Sequence, residues 1–271
     1  MFNFTPKKIN KLIKNSILKF NPISFGKIGN VESTYLEKFF NNIYDEIDNQ
    51  LFVNAGIFTS NLDEYVEYFN CLINSINNTD YILQWNSTDK KLINKYLSNK
   101  KIFKSFNGLE PFIFENDGWH YSLKDKKILC VSPFSKSVEI QSHKFDKIWS
   151  GAKIGQIETV NVPLSEALTG EKPISWKIKF EQILEKIDKK TFDFATVGCG
   201  GLSLPVCYEI KKLGKPVVHL GGANQILYGI KGKRWDKAFK NYDWYGNSYW
   251  IRPIGEETPV NSKLVEDGCY W

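Results

Sequence analysis

The sequence predicts an α/β protein with an open, mostly parallel, Rossmann-like sheet, helices on both faces and an aromatic, loop-rich C-terminal cap. Between residues 127 and 220, short apolar runs alternate with segments of helical period, which is typical of βαβ units. The run at 127–133 is continuously apolar, as expected for a strand that is buried on both faces. From Trp244 onward the chain is aromatic and irregular, which predicts the cap.

Each predicted element follows from its hydrophobic period and its boundary residues. The predicted strands are 23–28, 81–85, 127–133, 157–162, 192–197 and 216–220. The predicted helices are 7–19, 32–50, 61–76, 88–98, 135–149, 175–189 and 202–213. Asn21 and Pro22 end the first helix, and the apolar stripe of the second reaches Ile43 and Ile47. Ser60 or Asn61 caps the third helix.

Length and charge limit the class of protein. With 271 residues and no internal repeat, the chain is expected to form a single domain over 1–271, with possible lobes 1–125 and 126–271. The net charge of +6 is spread along the chain and interleaved with acids, so no nucleic-acid partner is expected.

The spacing of the cysteines, and the lack of an apolar segment typical of a signal peptide or membrane span, predict a cytoplasmic protein. The 5 cysteines have no CxxC spacing and most sit in apolar surroundings, and with 3 histidines they make a poor zinc ligand set. No signal peptide or transmembrane segment is expected. The apolar stripe of the basic N-terminal helix either packs on the domain or makes a peripheral membrane contact; its residues are Ile9, Leu12, Ile13 and Ile17.

Ligands of open parallel sheets bind beyond the carboxyl ends of the strands, so the loops after the strands are the candidate sites. The first such loop contains Gly29, Asn30 and Glu32. Asn30 and Glu32 are spaced to bind one cation or one sugar hydroxyl. Alternatively, Asn30 caps the following helix and Glu32 complements its dipole.

A second loop carries Gly198, Gly200 and Gly201 before a helix. Glycines let a backbone approach an anion, which the helix N-terminal amides then bind. The alternative is that these glycines only permit close packing. The spacing is not the G-x-G-x-x-G fingerprint of dinucleotide sites.

The next loop begins at His219, which is either a site group or a core histidine. Its polar and glycine residues are typical of a ligand loop; they are Gly221, Gly222, Asn224 and Gln225. A basic run follows, with Lys231, Lys233 and Arg234. Such a cluster suits a diphosphate, because the Arg234 guanidinium can bind two oxygens, although a solvated surface loop is the alternative.

Several of these segments resemble glycosyltransferases of the GT-D fold, especially a branch of uncharacterised proteins in bacterial surface-polysaccharide and viral gene sets. The matching segments are residues 27–32, 127–134 with Gln141, 198–205, 219–235 and 265–271. The long segment HLGGANQILYGIKGKRW is specific to that branch.

The resemblance implies a transferase that moves a sugar from a nucleoside-diphosphate sugar to a glycan or lipid-linked glycan acceptor, with manganese or magnesium as cofactor. In the characterised enzymes an Asp-x-Glu motif holds the metal and diphosphate. Here Asn30 replaces the Asp and Glu32 remains, so one charge is lost and metal affinity is expected to fall.

Glycosyl transfer needs cations beside the phosphates and, for an inverting reaction, a base. The expected cations are Lys231, Lys233 and Arg234, and the candidate bases are Glu32 and His219. The alternative to this function is a non-catalytic sugar- or nucleotide-binding protein that kept the fold. A nicotinamide-dependent oxidoreductase is a third hypothesis.

Overall fold

The computed structural model describes residues 4–44, 49–96 and 101–271, and the described chain contains one seven-stranded, all-parallel sheet. Its strands are β1 (Ser24–Lys27), β2 (Tyr81–Leu83), β3 (Lys101–Phe103), β4 (Lys127–Ser132), β5 (Gln156–Asn161), β6 (Phe194–Val197) and β7 (Val217–His219). The spatial order is β3-β2-β1-β7-β6-β4-β5. The predicted open, parallel α/β sheet is confirmed.

Helices connect and flank these strands. The α-helices of the described residues are α1 (Pro6–Lys19), α2 (Asn30–Phe40), α3 (Asn49–Ala55), α4 (Leu62–Asn78), α5 (Ser87–Tyr96), α6 (Phe106–Leu109), α7 (Ser135–Ser142), α8 (Phe145–Ile148), α9 (Glu166–Thr169), α10 (Trp176–Asp188), α11 (Ser203–Lys212), α12 (Ala223–Leu227) and α13 (Lys233–Ala238). Short 3₁₀ helices cover Pro111–Asp117, Trp119–Leu123, Gly200–Leu202, Gly255–Glu257 and Ser262–Leu264.

The sheet separates two large hydrophobic cores, one on each face. In β4, Leu129 and Val131 belong to one core, while Ile128 and Cys130 belong to the other. All of these side chains are fully buried. Alternate residues of a strand point to opposite faces, so a strand that is covered on both sides must be apolar throughout. This explains the continuous apolar run in the sequence.

The N-terminal helix α1 packs on the domain. The Thr5 side chain caps it, and Ile9, Ile13 and Ile17 are fully buried in the core on one face of the sheet. This apolar face is therefore not available to a membrane surface, which corrects the alternative of a peripheral contact through it. Just before α1, Phe4 forms a parallel bridge with Phe103 beside β3. Within the described ranges, no helix has the length and apolar composition needed to cross a bilayer.

Several predicted boundaries were wrong. Strand β3 was not predicted. The helix predicted over 32–50 ends at Phe40, and Asn42 then takes a left-handed backbone conformation, with φ of 54°; the Ile47 part of that prediction lies outside the described residues, as do residues 97 and 98 of the fourth helix. The helix predicted over 135–149 is divided into α7 and α8.

The order of the strands opens a crevice at their carboxyl ends. The chain leaves β4 toward β5 at the outer edge, but it leaves β6 toward β7 in the middle of the sheet. Connections that diverge from neighbouring strands leave space between them, and this is where open α/β sheets bind ligands. The C-terminal segment, predicted as a cap, is loop-rich with two short 3₁₀ turns. Its last part borders this crevice through Tyr270 and Trp271, whereas Trp244 and Trp250 pack on one of the two cores.

The buried carboxyl group of Asp89 in α5 predicts a pH-dependent stability. Burial raises the pKa of Asp89 to about 7, although backbone N–H groups of Trp85 and Asn86 oppose the shift. The unfolded chain releases this proton near pH 4, so the charged form destabilises the fold increasingly from about pH 4 to pH 7. Asp89→Asn should therefore raise the melting temperature more at pH 8 than at pH 4.5. The exposed Asp63→Asn in the first turn of α4 is the control, and an equal gain at both pH values would contradict the assignment.

Candidate functional site

A cleft of about 770 Å³ opens at the carboxyl ends of the strands. Residues that follow all seven strands line it, from Gly29 after β1 to Gly221 after β7, and the cap closes one side with Tyr270 and Trp271. The volume falls within the range of about 300–1,000 Å³ that is typical of small-molecule sites. The cleft therefore has the size and position of a ligand site.

Most predicted site residues meet in this cleft. Those that line it are Gly29, Asn30, Glu32, Gly198, Gly200, His219, Gly221, Gly222, Asn224, Gln225 and Arg234. Gly201, Lys231 and Lys233 lie outside the lining that the structure describes. Three of the loops predicted from the sequence thus share one cleft, and the basic run contributes Arg234 alone.

The structure does not bring the three predicted cations to one site. Lys233 pairs with Asp267 in the cap and also donates to its backbone carbonyl, at 3.1 Å. Lys231 packs toward Gly246, where an added Cβ would lie 3.2 Å from the lysine Nζ. Lys233 is therefore bound to the C-terminal segment, and neither lysine belongs to the described lining of the cleft, which corrects the expectation that they face a ligand.

Arg234 borders the cleft and remains accessible. Its guanidinium lies 4.8 Å from the ring centre of Tyr270 and forms an ion pair with Glu266. Its side chain is 37% exposed. Stacking on an aromatic ring fixes the guanidinium plane without using all of its N–H donors. Arg234 can thus offer donors to an anionic ligand.

Glu32 folds back over the start of α2. Gly29 is the N-cap, and its missing side chain leaves the space that the Glu32 carboxylate occupies. Burial raises the pKa of Glu32, and the nearby Lys27 ammonium opposes the shift. Asn30 does not cap the helix, contrary to one alternative, and its exposed side chain borders the cleft.

Lys27 is a cleft residue that the sequence analysis missed. It is the last residue of β1, its side chain is only 14% exposed, and its Nζ lies 3.6 Å from Glu110 Oε1 and 4.7 Å from the ring centre of Phe106. Burial lowers the pKa of Lys27, while Glu110 opposes the shift. The sequence feature that could have revealed Lys27 is its position as a lysine at the end of an apolar strand, directly before the first candidate loop.

His219 is a buried, neutral imidazole at the end of β7. Burial, helped by the charge of Lys27, lowers the pKa of His219 to about 3. Its Nδ1 has no hydrogen-bond partner among the described residues. A group with so low a pKa has little affinity for a proton at pH 7, so His219 is a weak candidate for a general base.

The side-chain amides of Asn224 and Gln225 form hydrogen bonds to distant parts of the chain. Asn224 Nδ2 donates to the Val131 carbonyl at 3.3 Å. Gln225 Nε2 donates to the carbonyls of Lys231 and Tyr270, each at 3.0 Å. These donors are used to join β4, the basic run and the cap. The amide donors of both residues are thus used inside the protein, whereas Asn224 Oδ1 and Gln225 Oε1 have no partner among the described residues, and both residues line the cleft.

The described residues provide no preformed manganese or magnesium site. Such ions are bound through carboxylate oxygens, but no group of three or more His, Cys, Asp or Glu residues that could hold a metal occurs in the part of the chain that the structure describes. The Glu32 carboxylate is folded over Gly29, and Lys27 already places a positive charge near it. Asn30 and Glu32 therefore offer a poor donor set, and the predicted metal dependence stays a prediction.

Aromatic side chains form the walls of the cleft beside these charges. Trp85 donates from its Nε1 to the Ile28 carbonyl at 2.9 Å, and its ring packs against Phe106. Tyr270 and Trp271 face the cleft from the cap. Flat aromatic faces suit a nucleobase or the apolar face of a sugar. The cleft thus combines stacking surfaces with cations.

Comparison of the chain with models of protein families, with curated proteins and with solved structures finds no match. The likeness to GT-D glycosyltransferases therefore rests on the sequence segments given above.

The glycines after β6 are required by packing. A Cβ at Gly198 would lie against the Gly221 carbonyl oxygen and 2.8 Å from Asn224 Cβ, and one at Gly200 would lie 2.5 Å from the Ala55 carbonyl oxygen. Gly200 also has a positive φ of 57°. Close packing, one of the two alternatives for this loop, accounts for both glycines.

We expect Gly198→Ala to lower the free energy of unfolding by about 1–3 kcal/mol, because the added methyl group overfills the contact between the loops after β6 and β7. Chemical denaturation measures the change. Gly255→Ala is the control, since nothing lies within 4 Å of its added Cβ. A Gly198→Ala protein as stable as the control would show that packing does not require this glycine.

Proposed function

We propose that the protein is a glycosyltransferase that moves a sugar from a nucleoside-diphosphate sugar to a glycan or lipid-linked glycan acceptor, in the synthesis of a surface polysaccharide or glycoconjugate. One observation carries the proposal: the cleft brings Arg234 and Lys27 together with aromatic walls at the carboxyl edge of a parallel sheet. Cations suit a diphosphate and aromatic faces suit a base or a sugar. The sequence resemblance supports the same function.

The charges match the needs of glycosyl transfer. The bond between the anomeric carbon and the diphosphate oxygen breaks, and its electron pair leaves with the diphosphate. Lys27 and Arg234 would stabilise the negative charge that develops there. The acceptor hydroxyl oxygen forms the new bond to the anomeric carbon, and its proton passes to a base.

Glu32 is the better of the two predicted bases. Its raised pKa gives it a higher proton affinity than an ordinary carboxylate, whereas the pKa of His219 is lowered to about 3. Glu110, whose Oε1 lies 3.6 Å from Lys27 Nζ, is a further carboxylate within the same lining.

A non-catalytic sugar- or nucleotide-binding protein is the second candidate. Asn30 in place of an acid and the folded position of Glu32 favour it. Assays of sugar-nucleotide hydrolysis and transfer, with and without manganese, separate the two candidates. Release of nucleoside diphosphate supports the transferase. Tight binding without turnover, across a panel of donors and acceptors, supports the binding protein instead.

Arg234 and its neighbour Lys233 provide a matched pair of variants. Arg234→Ala should weaken the binding of nucleoside diphosphates by about tenfold or more, because a charge-assisted pair of hydrogen bonds is lost. Lys233→Ala should change the affinity less than about twofold, because Lys233 pairs with Asp267 away from the cleft. Isothermal titration calorimetry measures both. An equal loss of affinity in the two variants would contradict the role assigned to Arg234.

A further inference from the structure

Lys27 is an unusual residue for the interior of a cleft. An ammonium group that is removed from water needs a partner, because burial of an unpaired charge is costly. The partner here is Glu110, whose Oε1 lies 3.6 Å from the lysine Nζ, slightly beyond hydrogen-bond length. An ammonium group has three N–H donors, and this single loose contact leaves donors available to a ligand.

The surroundings hold the ammonium group in the cleft. The Phe106 ring lies 4.7 Å from Nζ, and the backbone at Gly221 approaches so closely that an added Cβ would lie 3.2 Å from the lysine Cε. Arg234 and Glu32 are near enough to influence the pKa of Lys27. A positive group is thus fixed between the loops after β1 and β7, on the side of the cleft that Arg234 also reaches.

We propose that Lys27, in place of a divalent metal ion, is the cation that binds the diphosphate of the ligand, and that Glu110 is its counter-ion in the free protein. The inference rests on the proposed function, since it concerns the same ligand. Lys27 ends β1 immediately before the loop that contains Asn30 and Glu32, so its charge lies beside those residues, which themselves form a poor metal site.

The two members of the pair have opposite expected effects. A diphosphate that approaches Lys27 replaces Glu110 as its counter-ion, so the Glu110 carboxylate competes with the ligand and repels it. Removal of the Lys27 charge should weaken binding, and removal of the Glu110 charge should strengthen it. A purely structural ion pair would not give this difference in sign.

Calorimetric titration of the full-length protein with uridine, guanosine, thymidine and cytidine diphosphates tests the inference. For the wild type, we expect EDTA and manganese to change the affinity by less than about twofold. Lys27→Met should weaken binding by about tenfold or more, and Glu110→Gln should strengthen it by about threefold. The matched controls are Lys177→Met and Glu67→Gln, which alter an exposed ion pair of 2.9 Å away from the cleft and should leave the affinity unchanged.

The outcomes separate this inference from the proposed function. Binding that requires manganese would overturn the role of Lys27 and leave the transferase in place. Failure of the wild type to bind any nucleoside diphosphate or sugar nucleotide would overturn both. If Lys27→Met does not fold, as judged by circular dichroism, Glu110→Gln decides alone: tighter binding supports the inference, and unchanged or weaker binding refutes it.

Discussion

The parallel pairing of β1 with β7 is the contact on which the candidate site depends. Ser24 lies opposite Val217 and Phe25 opposite Val218, so strands from the two ends of the sequence become neighbours in the middle of the sheet. Both strands end at the same edge, which sets Lys27 close to His219 and to the loop that follows it. Because nearly 200 residues separate these strands in the chain, only tertiary structure can bring their charges into one cleft.

The sequence revealed most of the sheet and part of the site. The strands that were predicted have apolar runs with clear ends, whereas the apolar run in β3 is only Ile102 and Phe103, with a lysine on each side. The loops were found because parallel strands share a carboxyl edge. Lys27 was missed because it lies within a strand, and Glu110 because its segment has no helical or strand period. The spacing of Lys231, Lys233 and Arg234 did not reveal that neither lysine belongs to the described lining of the cleft.

The cap forms one wall of the cleft through backbone contacts that sequence patterns do not encode. The Arg234 amide donates to the Cys269 carbonyl at 3.0 Å, and Trp271 Nε1 donates to the Glu257 carbonyl at 2.7 Å. Together with the Gln225 amide, these bonds hold an irregular segment together and join it to α12 and α13. Buried polar groups of a loop need such partners, so the cap holds its shape with little regular secondary structure.

The bridge from Phe4 to Phe103 affects how the sheet meets other molecules. Outer strands expose unpaired amide and carbonyl groups, which can recruit strands from another chain and begin aggregation. Beside β3, the segment that leads into α1 occupies part of that edge. At the opposite edge, β5 carries Glu158, which pairs with Lys190 at 2.7 Å. Charged side chains on an outer strand oppose intermolecular β-pairing. Features at both outer strands, β3 and β5, therefore disfavour pairing of this sheet with the sheet of another molecule.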